Sequence, residues 1–173
     1  MKFSFFPKEF PTIMTSRLVL RQPRQMDEDT IFRLYSDTEI VRYIMPPVST
    51  PAEAYEILQA YINDFYSRKR IFWTIALKEN NVSIGTCCYE EFASPGIGEI
   101  GYDLLPAYQG KGYMREALTA IIQYGFSILQ LDEIEAFVSP GNQRSMHLLQ
   151  KLGFQLAGRR ADDDHYLLTY QEI

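Results

Sequence analysis

The residues best placed for chemistry lie in Tyr108-Gln-Gly-Lys-Gly-Tyr-Met-Arg-Glu-Ala117, where a glycine-bearing loop runs straight into a long amphipathic segment. Glycines let the backbone approach a ligand closely, and the free N–H groups of a helix N-terminus attract anions. The pattern therefore predicts a site for a phosphorylated ligand. Two familiar phosphate motifs do not fit. A nucleotide-triphosphate loop needs Gly-Lys followed by Ser or Thr, but Gly112 follows Lys111. A dinucleotide fingerprint counted from Gly110 needs a third glycine where Arg115 stands.

Regular elements must hold this loop in place. Ser16-Arg-Leu-Val-Leu-Arg21 alternates and predicts a first strand. Asp27 is placed to cap a short helix through Tyr35. Thr50 caps the next helix, with Pro51 in its first position and Glu53 completing a capping box. That helix runs to about Ser67. Strands follow at Ile71 to Leu77, Val82 to Glu90 and Glu99 to Leu105, and Pro106 ends the last. The loop opens a helix with Met114, Ala117, Leu118, Ile121 and Ile122 on its apolar side. Glu133 to Val138 is another strand. Asn142 caps a helix that Gly153 ends, and Phe154 to Gly158 and His165 to Glu172 form a final pair of strands. The order predicts an α/β (α+β) domain over residues 1–173, with residues 1–11 an N-terminal extension. Its sheet changes from antiparallel to parallel at the strand–helix–strand unit.

Bulk properties narrow the partners. A net charge of −5 over 173 residues argues against nucleic acid, which demands a basic face, and suits a cationic substrate. No apolar run approaches a membrane span. Cys87 and Cys88 are adjacent, so they staple nothing and offer no metal spacing. They point to a reducing cytoplasm. The aromatic segment before Thr12 is a candidate pairing strand or homodimer contact, and is expected to pack on the body of the fold.

Four motifs in order carry a resemblance. They are Thr15-Ser-Arg-Leu-Val-Leu-Arg21 with Asp27 and Leu34-Tyr-Ser-Asp-Thr-Glu-Ile-Val-Arg-Tyr43, then Gly98-Glu-Ile-Gly-Tyr102, the loop Gln109 to Met114, and Asn142-Gln-Arg-Ser-Met-His-Leu-Leu-Gln-Lys-Leu-Gly-Phe154. From about residue 12 to 172 the chain resembles the GNAT superfamily of acyl-CoA-dependent N-acyltransferases, in its RimJ/RimL branch. The resemblance implies a mostly antiparallel sheet of about seven strands with about four helices and a splayed parallel pair in the middle. It implies acetyl-CoA as co-substrate, no metal, and a primary amine as acceptor, on a small molecule or a protein N-terminus.

The resemblance also assigns residues. Backbone amides of Gln109, Gly110, Lys111, Gly112, Tyr113 and Met114 would hold the pyrophosphate, with Met114 standing where the family has Gly or Ala. Leu104 and Leu105 would pair with the pantetheine arm, Asn142 would touch it, and an N–H near Leu105 would polarise the thioester carbonyl. Glu99 is the leading base, on one face with Gly101 and Asp103 by alternation. Asp164 and His165 are the alternative. The tyrosine acid of related enzymes is replaced by Leu149, leaving Ser145 to orient a hydrogen bond near the thiolate. Neither cysteine is needed as a nucleophile, since the acyl group would pass directly to the amine. A GNAT-like chain that binds CoA without catalysis, or an interaction domain, is the alternative function.

Overall fold

The computed structural model describes residues 6–170. Its centre is one eight-stranded sheet in the order β1-β2-β3-β4-β5-β6-β8-β7. The chain runs β1 (Ile13–Met14), β2 (Leu18–Arg21), α1 (Glu28–Ser36), α2 (Thr38–Val41), α3 (Pro51–Tyr66), β3 (Ile71–Leu77), β4 (Ser83–Ser94) and β5 (Ile97–Leu104). It continues with α4 (Tyr113–Ser127), β6 (Glu133–Val138), α5 (Gln143–Lys151), β7 (Gln155–Arg160) and β8 (Asp163–Thr169). Neighbouring strands are antiparallel except β5 and β6, which α4 joins as a parallel crossover.

Both faces of the sheet are covered, so β3 is buried along its whole length. On one face Met114, Ala117, Leu118 and Ile121 of α4 pack with Leu20, Ile75, Ile100 and Ile134. Each such large side chain contributes about 1.5–3 kcal/mol by leaving water. On the other face α1 and α3 pack through Ile31, Leu34 and Leu58. Alternation on β3 shows the division. Phe72 stacks on Tyr61 of α3, while Trp73 meets Tyr124 of α4. Of the segment before Thr12, the described residues 6–11 belong to the body of the fold. Phe6 and Phe10 pack on Phe65, and the Trp73 indole N–H donates to the Pro11 carbonyl at 2.7 Å.

The structure departs from the sequence expectations at several points. The described residues form eight strands and five α-helices, because Ile13–Met14 pairs with β2 and Asp37 starts the separate turn α2. Asp37 accepts the Glu39 and Ile40 amides, a local cap that restarts the helix. Asp27 does not cap α1. Its carboxylate faces inward to Arg21 instead. Thr50 caps α3, but the Glu53 carboxylate reaches the Ser49 amide at 2.6 Å, one residue before the expected partner. The final strand ends at Thr169, and Glu172 lies outside the described residues.

Candidate active site

The sheet opens at its centre. The β5·β6 ladder pairs Ile97 with Glu133, Gly98 with Ile134 and Glu99 with Glu135, and it ends there. Both strands continue, β5 to Leu104 and β6 to Val138, so a gap lies between them. On the β4 side the Leu105 amide donates to the Ile84 carbonyl at 2.9 Å. That amide is therefore spent and does not face the gap, contrary to its expected role at the carbonyl. Antiparallel alternation instead turns the backbone groups of Tyr102 and Leu104 toward β6. The Leu104 carbonyl already accepts the Gln109 side-chain amide at 2.8 Å.

The glycine loop sits at the mouth of this gap. Gly110 and Gly112 hold φ of +74° and +81°, the left-handed region that favours glycine. Gly112 is the N-terminal cap of α4, and no side chain caps that helix. The first-turn amides of a 15-residue helix are thus left for an anion. A Cβ at Gly110 would meet nothing within 4 Å, so the cradle is open. Met114, the departure from the family's small residue, buries its side chain in the core and leaves its backbone to the loop. Lys111 reaches back to the Ala107 carbonyl at 2.8 Å, and Arg144 of α5 bonds the Gln109 side-chain oxygen. Tyr113 lies under the Arg17 guanidinium, 4.3 Å from its ring centre.

Arg17 was missed as a site residue by sequence reasoning. Its Nε donates to Glu116 at 2.7 Å and its Nη1 to the Lys111 carbonyl at 3.0 Å. Thr15 donates to the same carboxylate at 2.7 Å. Burial would raise the Glu116 pKa, but these hydrogen bonds and the Arg17 charge hold it below the usual range. The β1–β2 turn thereby ties down the loop. The pattern Thr15-x-Arg17 was visible, but its partner is about a hundred residues away.

One side of the gap is spanned by hydroxyls. Asn142 caps α5 by accepting the Ser145 amide at 3.2 Å. The Ser145 hydroxyl lies 2.6 Å from that of Tyr102 on β5. This pair crosses from β5 to the helix that follows β6. Burial pushes the Tyr102 phenol up to about 12, with the Ser145 bond opposing and Asp103 adding to the rise. Leu149 is fully buried in the core.

The other side is acidic and aromatic. Glu99, Gly101 and Asp103 share it, as alternation predicts. Glu135 stands opposite Glu99 in the ladder, and its carboxylate lies 3.0 Å from the His165 ring nitrogen. Asp164 belongs elsewhere, being paired to Arg159 at 2.9 Å. Asp103 faces Tyr35 of α1, whose hydroxyl accepts from Tyr61 of α3 at 2.8 Å. Burial and the Glu90 charge push Asp103 up to about 7, with Tyr35 opposing the rise. Cys88 donates to Glu90 at 3.2 Å, and Cys87 is buried on the opposite face. Burial raises both thiols, so they stay protonated.

An acetyltransferase (GNAT) domain model matches residues 17–155. The chain belongs to the GNAT acetyltransferases. Its GNAT relatives include the uncharacterized N-acetyltransferase p20 of Bacillus licheniformis, 37% identical over 87% of this chain and 86% of that protein. The [ribosomal protein uS5]-alanine N-acetyltransferase of Escherichia coli is 28% identical over 90% of this chain and 82% of its own. The GNAT sheet also matches the microcin C7 self-immunity acetyltransferase MccE, solved with acetyl-CoA and AMP, at a TM-score of 0.78. That match covers 90% of this chain and 94% of MccE at 18% identity, and it shows the fold. In this GNAT chain the expected residues of the loop, Asn142 and Ser145 come together around the gap. Tyr102 and Asp103 join them from the strand between.

Proposed function

We propose that the chain is an acetyl-CoA-dependent N-acetyltransferase that acts on a primary amine. The observation that carries this reading is an uncapped helix N-terminus, reached through two left-handed glycines, at the mouth of a gap in the sheet. Gln109, Gly110, Lys111, Gly112, Tyr113 and Met114 would hold the pyrophosphate through backbone amides, with Lys111, Arg17 and Arg144 supplying positive charge nearby. Leu104 and Tyr102 would pair with the pantetheine arm as an added strand does. Acetyl-CoA would bring an acyl group already activated as a thioester. Ser145, hydrogen-bonded to Tyr102, would face the departing sulfur.

The acceptor would arrive on the face of Glu99, Asp103 and Glu135, where acidic groups favour a cation. A groove of about 570 Å³ lined by Thr38, Val41, Tyr43, Ile44, Met45 and Ser139 gives it a path. Tyr43 places this loop against Gly141, beside the turn into α5. Both a protein N-terminus and a small amine suit such a groove.

A thermal-shift comparison of acetyl-CoA, CoA, ATP and NADH tests the reading. Saturation at a hundred times the dissociation constant gives about 2.7 kcal/mol, a rise of about 5–10 °C at this chain length. The rise is expected with the two CoA species and absent with the others. A flat response to both CoA species overturns it. Glu99→Gln should lower turnover a few-fold with acetyl-CoA affinity intact, because it removes one charge from the acceptor face. An unchanged rate would take Glu99 out of the site.

A further inference from the structure

We propose that Asp103 is the catalytic base that takes the proton from the acceptor ammonium. This rests on the acetyltransferase reading above and assigns the proton transfer within it.

Position separates Asp103 from Glu99. Glu99 is the last β5 residue paired to β6, at the closed end of the gap. Asp103 lies four residues on, about 13 Å along the strand, inside the open stretch. Its backbone neighbours Tyr102 and Leu104 are the residues turned toward the gap. Its side chain rises on the acceptor face, whereas Tyr102 next to it points to the Ser145 face. Consecutive residues of one strand thus set a carboxylate on the side where the amine would arrive and a hydroxyl pair on the side where sulfur would leave.

The surroundings of Asp103 fit a base. The Tyr35 hydroxyl stands near it and favours its charged form, and Tyr61 of α3 donates to Tyr35 at 2.8 Å. Thr86 on β4 is its cross-strand partner, so the two side chains share a face. The Thr86 hydroxyl is buried, with the residue 1% exposed, and has no hydrogen-bond partner among the described residues. A buried hydroxyl left unmade costs about 1–3 kcal/mol, so this one points to a missing donor or acceptor. An amine N–H between Thr86 and Asp103 would satisfy it. The other groups facing Asp103 are Tyr35 and Tyr61 from the helices, Cys88 and Glu90 from β4, and Glu99 on its own strand. Glu90 is neutralised in part by Arg70 at 2.9 Å. Across the gap stand Glu135 and His165.

The step balances with two protons leaving nitrogen. The first passes from the ammonium to Asp103 and returns later to solvent. The N–C bond then forms as the C–S bond breaks, its electron pair goes to sulfur, and the second proton ends on that sulfur. A carboxyl that titrates near neutrality is suited to the first transfer. The carboxylate is the active form, so turnover should fall as pH drops below about 7 and hold above it.

The test compares wild type with Asp103→Asn, Glu99→Gln and Tyr35→Phe. Thiol release is followed from about pH 5 to about pH 9 with spermidine, a peptide bearing a free N-terminal alanine, and n-butylamine. Asp103→Asn is expected to lose about 100-fold or more in kcat, keep its acetyl-CoA affinity, and lose the acid limb. Glu99→Gln should keep that limb. Carbon-13 NMR of the wild-type carboxyl should give a midpoint near 7, rising in Tyr35→Phe because a nearby hydroxyl that favours the carboxylate is lost. An acid limb that survives Asp103→Asn, one that vanishes in Glu99→Gln, or a carboxyl midpoint near 4 overturns the proposal. Acetyl-CoA binding to wild type judges the acetyltransferase reading by itself, and the carboxyl titration judges Asp103 by itself.

Discussion

Gly112→Trp should reduce acetyl-CoA affinity by at least about 100-fold while the chain still folds, a change of about 2.8 kcal/mol in binding. Gly112 holds φ +81°, and a Cβ there would stand 3.4 Å from Arg17 Nη2. The contact alone is tolerable, but the backbone is not suited to a side chain. Forcing an L-residue into this region costs about 1–2 kcal/mol. An indole would also occupy the space into which the first-turn amides of α4 point. The fold should survive, because the loop is exposed and Met114, not Gly112, anchors the helix start in the core. Gly110→Ala is the control. Its Cβ meets nothing within 4 Å at φ +74°, so only backbone strain remains and affinity should fall modestly. Calorimetric titration of both variants with acetyl-CoA reads the contrast. Equal, near-wild-type affinities would remove the loop from the binding site.

The features legible in the sequence are local ones. The loop, the Asn142 cap, the apolar side of α4 and the capping by Thr50 each depend on neighbours within a few residues. Asp27 shows the limit of such reasoning. Aspartate before a helix reads as a cap, yet here burial beside Arg21 and Thr74 decides where its side chain goes. Strand register is the larger obstacle. Nothing local says that the β5·β6 ladder stops at Glu99, or that Leu105 spends its amide on Ile84. The β4 register also shifts between Tyr89 and Glu91, and a one-residue bulge of this kind re-aims every side chain beyond it. For that reason the Asp103 cluster, which joins α1, α3, β4 and β5, was not legible. The pair Tyr102–Ser145 was half visible: Ser145 was named, but its partner lies 43 residues away across the gap.

Asp27→Ala should destabilise the chain by about 3–5 kcal/mol, a large share of the 5–15 kcal/mol typical of a folded domain. Arg21 and Asp27 are 3% and 1% exposed and meet through two 2.8 Å hydrogen bonds. The carboxylate also accepts the Arg24 amide at 2.8 Å and the Thr74 hydroxyl at 3.0 Å. Removing it strands a buried guanidinium, whose remaining acceptors are Asn81 and the Gln22 carbonyl. Burial alone would raise the Asp27 pKa, but the Arg21 bonds and charge, with Arg24 and Thr74, hold it below the usual value. A depressed folded pKa means that this stability is present above the unfolded value of about 3.9 and is lost as pH falls through the folded one. Urea melts at pH 7 and in acid should therefore show a smaller acid loss in the variant than in wild type. The pair Arg21→Met with Asp27→Leu should recover much of the loss, because two apolar groups leave no charge unpaired. Failure of that recovery would mean that the carboxylate acts chiefly through Arg24 and Thr74. The consequence reaches the site in either case, since Asp27 fixes the start of α1 and α1 carries Tyr35. Asp27→Ala should then also raise the Asp103 midpoint, because Tyr35 lies about two helical turns beyond Asp27 on α1.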